Sequence, residues 1–204
     1  MKKASRTNPF PPTDSDRHAI WQALVERDIR AFVAQNWDII AEDFQEDGFV
    51  GHSGSANPDD WRISYPSLDS YRTAWLEQAR DLNKLRLRNT DMEQFLFDAT
   101  DLTRIDINGD EALAHKKFNG RTEVVDAPDL VLQWQTLYRL HRSDGRWRMT
   151  GFLGYLPNPM PGQVAMDRVS HISLPQSASQ HKAAGRSIRA TIPERAGRHG
   201  REGG

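Results

Sequence analysis

The chain has 204 residues and a formal net charge of −1 at pH 7, with 37% hydrophobic and 27% charged residues. This length indicates one ordinary domain, and the low hydrophobic fraction indicates polar segments beside a folded middle. The absence of cysteine excludes disulfides, thiolate metal sites and a cysteine nucleophile. No stretch approaches the roughly 18 apolar residues of a membrane-spanning helix, and no apolar run follows the N-terminal lysines, so we expect a cytoplasmic protein.

Charge is distributed unevenly along the chain. Residues 157–204 contain seven lysines and arginines against three acidic residues, which gives this part +4 and leaves −5 for the rest. The same part has few large apolar residues and cannot bury enough surface to offset the entropy of ordering. We therefore expect a flexible lead-in at 1–13, a folded domain at 14–156 and a disordered basic tail at 157–204. The tail lacks interleaved aromatic residues and a dense basic block, so nucleic-acid binding is not predicted.

Three helices are predicted in the first half of the chain. The first covers "TDSDRHAIWQALVERDIRAFVAQN", where capping residues precede apolar residues at helical spacing. The second is predicted in "WDIIAEDFQEDGF", with Asp43 on its apolar side, and the third in "SLDSYRTAWLEQARDLN", capped by Ser67. Between these two, 49–54 has the pattern of a short strand and 55–66 that of an irregular loop.

After Asn83 the apolar pattern changes to a period of two, which is typical of strands. "LRLRN" alternates, and "MEQFLFDATDLTRIDI" contains two strand-like pieces. Long strands are predicted in "EALAHKKFNGRTEVV", "DLVLQWQTLYRLHR" and "RWRMTGFLGYLP", with hairpin turns at "NGDE" and "SDGR". Helices followed by an antiparallel meander define the α+β class.

Alternation also predicts which strand residues face inward. In the second long strand, the face that includes Trp134 and Tyr138 is apolar and aromatic, which suits the concave wall of a pocket. In the third, the predicted inward residues are Trp147, Met149, Gly151, Leu153 and Tyr155.

The element order, together with the phrases "AEDFQEDGFVG" and "DGRWRMTGFLGYLP", resembles the nuclear transport factor two-like superfamily, and within it the SnoaL-like branch. The resemblance covers roughly residues 14–156. It implies a cone-shaped, curved antiparallel sheet wrapped around the long N-terminal helix with two further helices, an apolar pocket at the mouth, and often a homodimer. Members include polyketide cyclases, ketosteroid isomerase and plain binding modules. The 53–67 insert is longer than the family pattern and is a possible lid.

The resemblance places the site inside the cone, which makes ionisable residues near it candidates for catalysis. Asp43 is a candidate general base, because a carboxylate on the core side is desolvated, and its alternative is an ion pair with an arginine. His52 and His115 are candidate acid/base groups, and Tyr138 could stabilise an enolate oxygen. Asp28, in the apolar stripe of the first helix, carries the same hypothesis more weakly.

Aromatic residues are the candidates for binding a flat, apolar ligand. Five of them are expected at the mouth or on the inner wall: Trp61, Tyr65, Tyr71, Trp75 and Trp134. For Trp75, core packing is the favoured alternative.

Three functions stay open at this point. The first is a cofactor-independent isomerase, cyclase or dehydratase that acts on an apolar carbonyl compound. The second is a dimeric module that binds a ligand or a protein without turnover. The third is a structural dimer tethered through its tail. No cofactor or metal is expected, because the chain has no histidine pair at metal-ligand spacing and no glycine-rich phosphate loop.

Overall fold

A computed structural model describes residues 6–160 and 188–189. The helices are α1 (Ser15–Trp21), α2 (Asp28–Ala34), α3 (Leu68–Asn83) and α4 (Met92–Ala99), and a π-helical segment, Gln22–Arg27, joins α1 to α2. The strands are β1 (Val50–Ser53), β2 (Arg62–Tyr65), β3 (Thr100–Asn108), β4 (Glu111–Val124), β5 (Ala127–Ser143), β6 (Arg146–Pro157) and β7 (Ile188–Arg189). The α+β class is confirmed.

One curved sheet carries all the strands, in the order β2-β1-β6-β5-β4-β3, with β7 beside β5. The long strands β3 to β6 form an antiparallel meander, but β1 runs parallel to β6 and β7 runs parallel to β5. The expected antiparallel meander is therefore present, and the parallel β1 and β7 make the sheet as a whole mixed. A parallel β1 results because the chain enters the sheet beside its last long strand rather than through a hairpin.

The predicted long first helix is confirmed as one continuous helical stretch with a π-helical middle. The carboxylate of Asp14 accepts the backbone N–H of Arg17 and caps its first turn. Gln35, in the left-handed region at φ 53°, ends it. The buried side chains of this helix, among them Ile20, Leu24 and Ile29, pack into the core that the concave face of the sheet encloses.

The second helix predicted between 37 and 48 is not formed. Two short 3-10 turns, Trp37–Ile39 and Ala41–Asp43, take its place. Ile40 between them leaves the helical region, with φ −118° and ψ 0°, while its side chain stays buried. Burial of this β-branched residue outweighs a weak helical preference.

The strand pattern assigned to 85–99 is also wrong. Residues 92–99 form α4, capped by Asp91, whose carboxylate accepts the N–H of Gln94 at 2.7 Å. Met92, Phe95, Leu96 and Ala99 are buried at helical spacing. "LRLRN" contributes one isolated bridge, between Leu87 and Val124. Short apolar runs suit helix and strand alike, and here packing against the core favours the helix that Asp91 caps.

The predicted irregular loop at 55–66 contains ordered structure. A 3-10 turn at Pro58–Asp60 leads into β2, which pairs antiparallel with β1 and forms one edge of the sheet. Tyr65 at the end of β2 is buried in the core. This part of the chain extends the wall of the cone.

The inward face of β6 differs from the predicted alternation. Trp147 and Met149 are buried as expected, but Phe152 rather than Leu153 then packs into the core. Gly151, at φ 155°, accompanies a register shift between Arg139 and Leu140, and this bulge reverses the alternation. A second shift, between Gln135 and Leu137, restores the inward position of Tyr155.

The disorder predicted for 157–204 lies largely outside the described residues. Within it, Ile188–Arg189 pairs in parallel with Leu130–Val131. In the part of the chain that is described, no helix is long and apolar enough to cross a membrane.

Candidate functional site

A cavity of about 80 Å³ lies inside the cone, between the helices and the inner face of β4 to β6. Half of its sixteen lining residues are aromatic: Phe32, Tyr71, Trp75, Phe118, Trp134, Tyr138, Phe152 and Tyr155. Among the lining residues only Asp28 and Lys116 are charged. An aromatic cavity with a small number of polar groups is typical of a small-molecule site.

Asp28 and Lys116 form an ion pair at the cavity wall. Nζ of Lys116 lies 2.8 Å from Oδ2 of Asp28 and 2.5 Å from the backbone oxygen of Leu24, to which it donates. The side chain of Lys116 is 1% exposed, whereas that of Asp28 is 26% exposed. The ammonium is therefore almost completely shielded from solvent and the carboxylate is partly exposed, and both residues line the cavity.

Local structure explains how these two charges meet. Lys116 lies on the inner face of β4, between the buried Ala114 and the partly buried Phe118, and its Nζ is 5.0 Å from the centre of the Phe118 ring. Asp28 is the first residue of α2 after the π-helical segment. From α3, the indole N–H of Trp75 donates to Oδ1 of Asp28 at 3.3 Å. The sheet and two helices thus converge on one carboxylate.

Buried tyrosine hydroxyls form the other polar part of the cavity. Burial raises the pKa of Tyr138, the charge of Asp28 raises it further, and a side-chain hydrogen bond with Tyr71 acts in the opposite direction. Burial likewise raises the pKa of Tyr71 and of Tyr155. These phenols stay protonated at neutral pH and are able to donate hydrogen bonds to a ligand.

Four residues predicted to bind substrate or stabilise an oxyanion line this cavity, namely Tyr71, Trp75, Trp134 and Tyr138. Tyr65 is buried behind them, with its ring centre 5.3 Å from that of Tyr71. Trp61 lies apart, 42% exposed, with its indole N–H donating to the backbone oxygen of Ser55.

Asp43 is buried, but it does not line the cavity. Its two carboxylate oxygens each accept a hydrogen bond from Arg27 at 2.8 Å, and Arg146 contacts Oδ1 at 3.3 Å. The structure therefore places this candidate base in the arginine ion pair that was its alternative.

The two candidate histidines lie on the outer face of the sheet. His52 alternates in β1 with the buried Gly51 and Ser53, and His115 alternates in β4 with the inward Lys116. Nε2 of His115 is 2.6 Å from Oε1 of Gln135. Neither histidine is among the residues that line the cavity.

Sequence reasoning gave Asp28 little weight and did not consider Lys116. Both carry a usable signal, because each is a charge on an otherwise apolar face. Lys116 shares its face with Ala112, Ala114 and Phe118, and Asp28 interrupts the apolar stripe of the first helix. Burial of a lone charge costs free energy unless an opposite charge lies beside it, and here Asp28 and Lys116 form an ion pair.

A second cavity, of about 610 Å³, is bordered by Trp21, Asp98, Lys117 and Asn158 among others. It also touches Thr7 and Pro9, close to where the described residues begin. Trp21 is the one aromatic residue among the described residues that line this second cavity, so it lacks the aromatic walls of the first. Across the described part of the chain, no group of three His, Asp or Glu side chains is arranged to hold a metal ion.

The architecture, a curved sheet wrapped around a long N-terminal helix, defines a nuclear transport factor two-like fold. Solved structures similar to the chain include NTF2-like proteins of unknown function from Shewanella baltica (13% identity, TM-score 0.43, 69% of this chain and 92% of that chain) and Pseudomonas putida (16%, 0.43, 72% and 87%). Another is a protein of unknown function from Mycobacterium tuberculosis (20%, 0.40, 72% and 76%). No protein-family model and no curated protein matches the chain. With likenesses this distant, the fold class rests on the chain's own element order and strand register.

Proposed function

We propose that the cone binds a small, largely aromatic or apolar carbonyl compound and acts on it as a cofactor-independent isomerase, cyclase or dehydratase of the SnoaL-like type. One observation carries the proposal. A carboxylate paired with a buried ammonium, Asp28 with Lys116, reaches into a cavity whose other walls are mostly aromatic and apolar.

In this proposal Asp28 is the general base. Its carboxylate takes a proton from the carbon next to the ligand carbonyl, and negative charge develops on the carbonyl oxygen. The protonated phenol of Tyr138, on the same cavity wall, donates a hydrogen bond to that oxygen. Asp28 replaces the sequence-based choice of Asp43 or a histidine as base, and Tyr138 keeps the role in which it was a candidate from the sequence.

The groups around Asp28 support this role by holding it in place. Trp75 donates to Oδ1 and Lys116 to Oδ2, so the carboxylate is oriented from two sides. The ammonium also supplies the counter-charge that a partly buried carboxylate requires. Trp134 and Phe118, stacked with ring centres 4.5 Å apart, offer a flat wall to a planar ligand.

The alternative is binding without turnover. It is favoured by the fact that Asp28 and Lys116 already satisfy each other and have further partners in Trp75 and Leu24. A ligand without a carbonyl would then fill the cavity without disturbing the pair. The tethering hypothesis required no cavity, and the cavity weighs against it.

We also propose a homodimer formed through the outer face of the sheet. On this face Leu113 of β4 is 40% exposed between Asp106 and Arg139, and the cross-strand pair Leu137 and Leu153 is partly buried. Burial of these apolar side chains against a second copy would favour association. Light scattering of wild type and Leu113→Lys tests the dimer, and an unchanged monomeric mass in both would contradict it.

The function is tested in two stages. A thermal-shift screen with flat apolar ketones, aldehydes and aromatic acids identifies compounds that stabilise the folded chain. Each compound that binds and carries a proton on the carbon next to its carbonyl is then followed by NMR in D₂O for exchange of that proton. We expect wild type to catalyse exchange and Asp28→Asn to bind but not exchange, with Asp106→Asn, an exposed control on β3, behaving as wild type. Binding without exchange for every compound supports the alternative, and the absence of any binding contradicts both.

A further inference from the structure

We propose that Lys116 is a nucleophile that forms a reversible iminium with an aldehyde or ketone held in the cavity. This inference rests on the proposed function, because it requires the cavity to accept a carbonyl compound. Among the described lysines, Lys116 is the one that lines this cavity, and it is almost completely enclosed.

Packing alone does not account for a lysine at this position. Its neighbours on the inner face of β4 are Ala114 and Phe118, and an apolar side chain of similar volume would fill the same space. Replacing a buried ion pair by apolar residues is commonly neutral or stabilising. A charge kept here, next to open space, points to a chemical use.

The hydrogen bonds of Lys116 supply a route to the free amine. Its Nζ donates to Oδ2 of Asp28 at 2.8 Å, so one proton transfer along this bond converts the ion pair into a neutral amine and a carboxylic acid. Removing both charges from apolar surroundings offsets part of the cost of that transfer. The bond to the Leu24 carbonyl keeps the nitrogen oriented while its lone pair becomes available.

The reaction balances with these two residues and water as the released product. The Nζ lone pair forms a bond to the carbonyl carbon, the π pair of the carbonyl moves to its oxygen, and a proton passes from nitrogen to that oxygen to give a carbinolamine. The carboxylic acid of Asp28 then protonates the hydroxyl, which leaves as water as the nitrogen lone pair forms the C=N bond. The iminium cation finally faces the Asp28 carboxylate, which restores an ion pair like the original one.

The walls of the cavity define the class of carbonyl compound. The Phe118 ring, whose centre is 5.0 Å from Nζ, and the Trp134 ring stacked with it place aromatic rings beside the nitrogen. A small planar aldehyde or ketone conjugated with an aromatic ring can pack against such rings, and the small size of the cavity favours the smallest members of this class.

The test is reductive trapping on the full chain. Benzaldehyde and sodium cyanoborohydride convert an iminium into a stable benzylamine, which peptide mass spectrometry locates. Lys117 is a matched control, since it is adjacent in sequence but faces away from the cavity, and Lys84, 72% exposed, reports reaction in solvent. We expect Lys116 to be labelled several-fold faster than either control, although it is the least exposed.

Two further measurements make the outcome decisive. Asp28→Asn should slow labelling of Lys116 several-fold and leave Lys117 unchanged, with folding checked by its melting temperature. If benzaldehyde raises the melting temperature of wild type but Lys116 stays unlabelled while Lys84 reacts, the iminium proposal is overturned and the proposed function stands. If benzaldehyde neither binds nor labels Lys116, the result counts against both.

Discussion

Lys116 on β4 and Asp28 on α2 join the sheet to the long helix through a 2.8 Å contact between Nζ and Oδ2. The contact is asymmetric, because the ammonium is 1% exposed and the carboxylate 26%. Loss of either partner leaves the other without its counter-charge, and the cost depends on how well water can reach the one that remains.

Asp28→Asn should therefore destabilise the protein more than Lys116→Met. Leaving the enclosed ammonium unpaired costs about 3–5 kcal/mol of unfolding free energy, by analogy with other broken buried pairs. The Asp28 carboxylate that Lys116→Met leaves unpaired is 26% exposed, so water can hydrate it in part. We expect the double variant to recover much of the loss of Asp28→Asn. Urea unfolding of wild type, the two single variants and the double variant measures this double-mutant cycle. Equal losses of unfolding free energy in the two single variants would contradict the asymmetry.

Asp43→Asn should reduce stability without affecting the cavity. Its carboxylate is 1% exposed, but Arg27 and Arg146, which donate to it, are 36% and 41% exposed and can be hydrated once unpaired. The substitution should therefore cost about 1–3 kcal/mol of unfolding free energy. Glu42→Gln is the control, because it removes the charge of an exposed residue that also pairs with Arg146. It should cost little unfolding free energy. Ligands found in the thermal-shift screen should still bind Asp43→Asn below its melting temperature. If Asp43→Asn fails to bind these ligands while it is fully folded, Asp43 belongs to the binding site after all.

Stability should fall steeply at alkaline pH. Burial raises the pKa of Tyr71, Tyr138 and Tyr155 above the ordinary value of 10.0. As the pH rises, these phenols therefore lose their protons at a lower pH in the unfolded chain than in the folded protein. Above pH 10 the unfolded state binds fewer protons than the folded state, and unfolding free energy decreases by about 1.4 kcal/mol per pH unit for each such phenol. The stabilisation that these buried, protonated phenols contribute is fully present below pH 10.

Absorbance at the tyrosinate band checks this directly. Ionisation of Tyr138 should coincide with unfolding rather than precede it. Tyr138→Phe should remove one phenol's share of the decrease in unfolding free energy with pH. A folded protein whose tyrosines all titrate near pH 10 would show that the hydroxyls are open to water.

Gly151→Ala should disrupt the bulge that aims Phe152 into the core. The residue lies at φ 155°, and an added Cβ would collide with the backbone oxygen of Val50 on β1 and lie 2.8 Å from Nη2 of Arg139. Gly145→Ala is the matched control, with φ 72° and nothing within 4 Å of the added carbon. The control should lose about 1–2 kcal/mol of unfolding free energy from backbone strain alone.

Gly151→Ala should lose clearly more than that, since overpacking adds about 1–3 kcal/mol to the strain. Thermal unfolding of the two variants side by side makes the comparison. Equal losses would mean that β1 can shift away from β6 without cost.

Much of the architecture follows from local patterns. The first and third helices, the three long strands and the inner face of β5 are all set by apolar spacing, caps and turn residues, which act within a few neighbouring residues. The aromatic half of the cavity was predictable for the same reason, because Trp134 and Tyr138 alternate with outward residues on one regular strand.

The misassigned elements are those where distant contacts outweigh local preference. Residues 37–43 and 92–99 have short apolar runs that suit more than one structure, and packing against the core decides between them. In β6, the bulge at Gly151 reverses the alternation, because the strand must bend beside β1 and β5.

The sequence by itself determined the α+β class, the long helix, the meander and an aromatic inner wall. Only the tertiary structure decided which charges the wall contains. Asp28 and Lys116 are 88 residues apart, and Asp43 and Arg146 are 103 apart, so no local pattern distinguishes the pair at the cavity from the pair in the scaffold. The distinction arises when the sheet closes around the helix, because a buried charge is tolerated only where folding brings its partner.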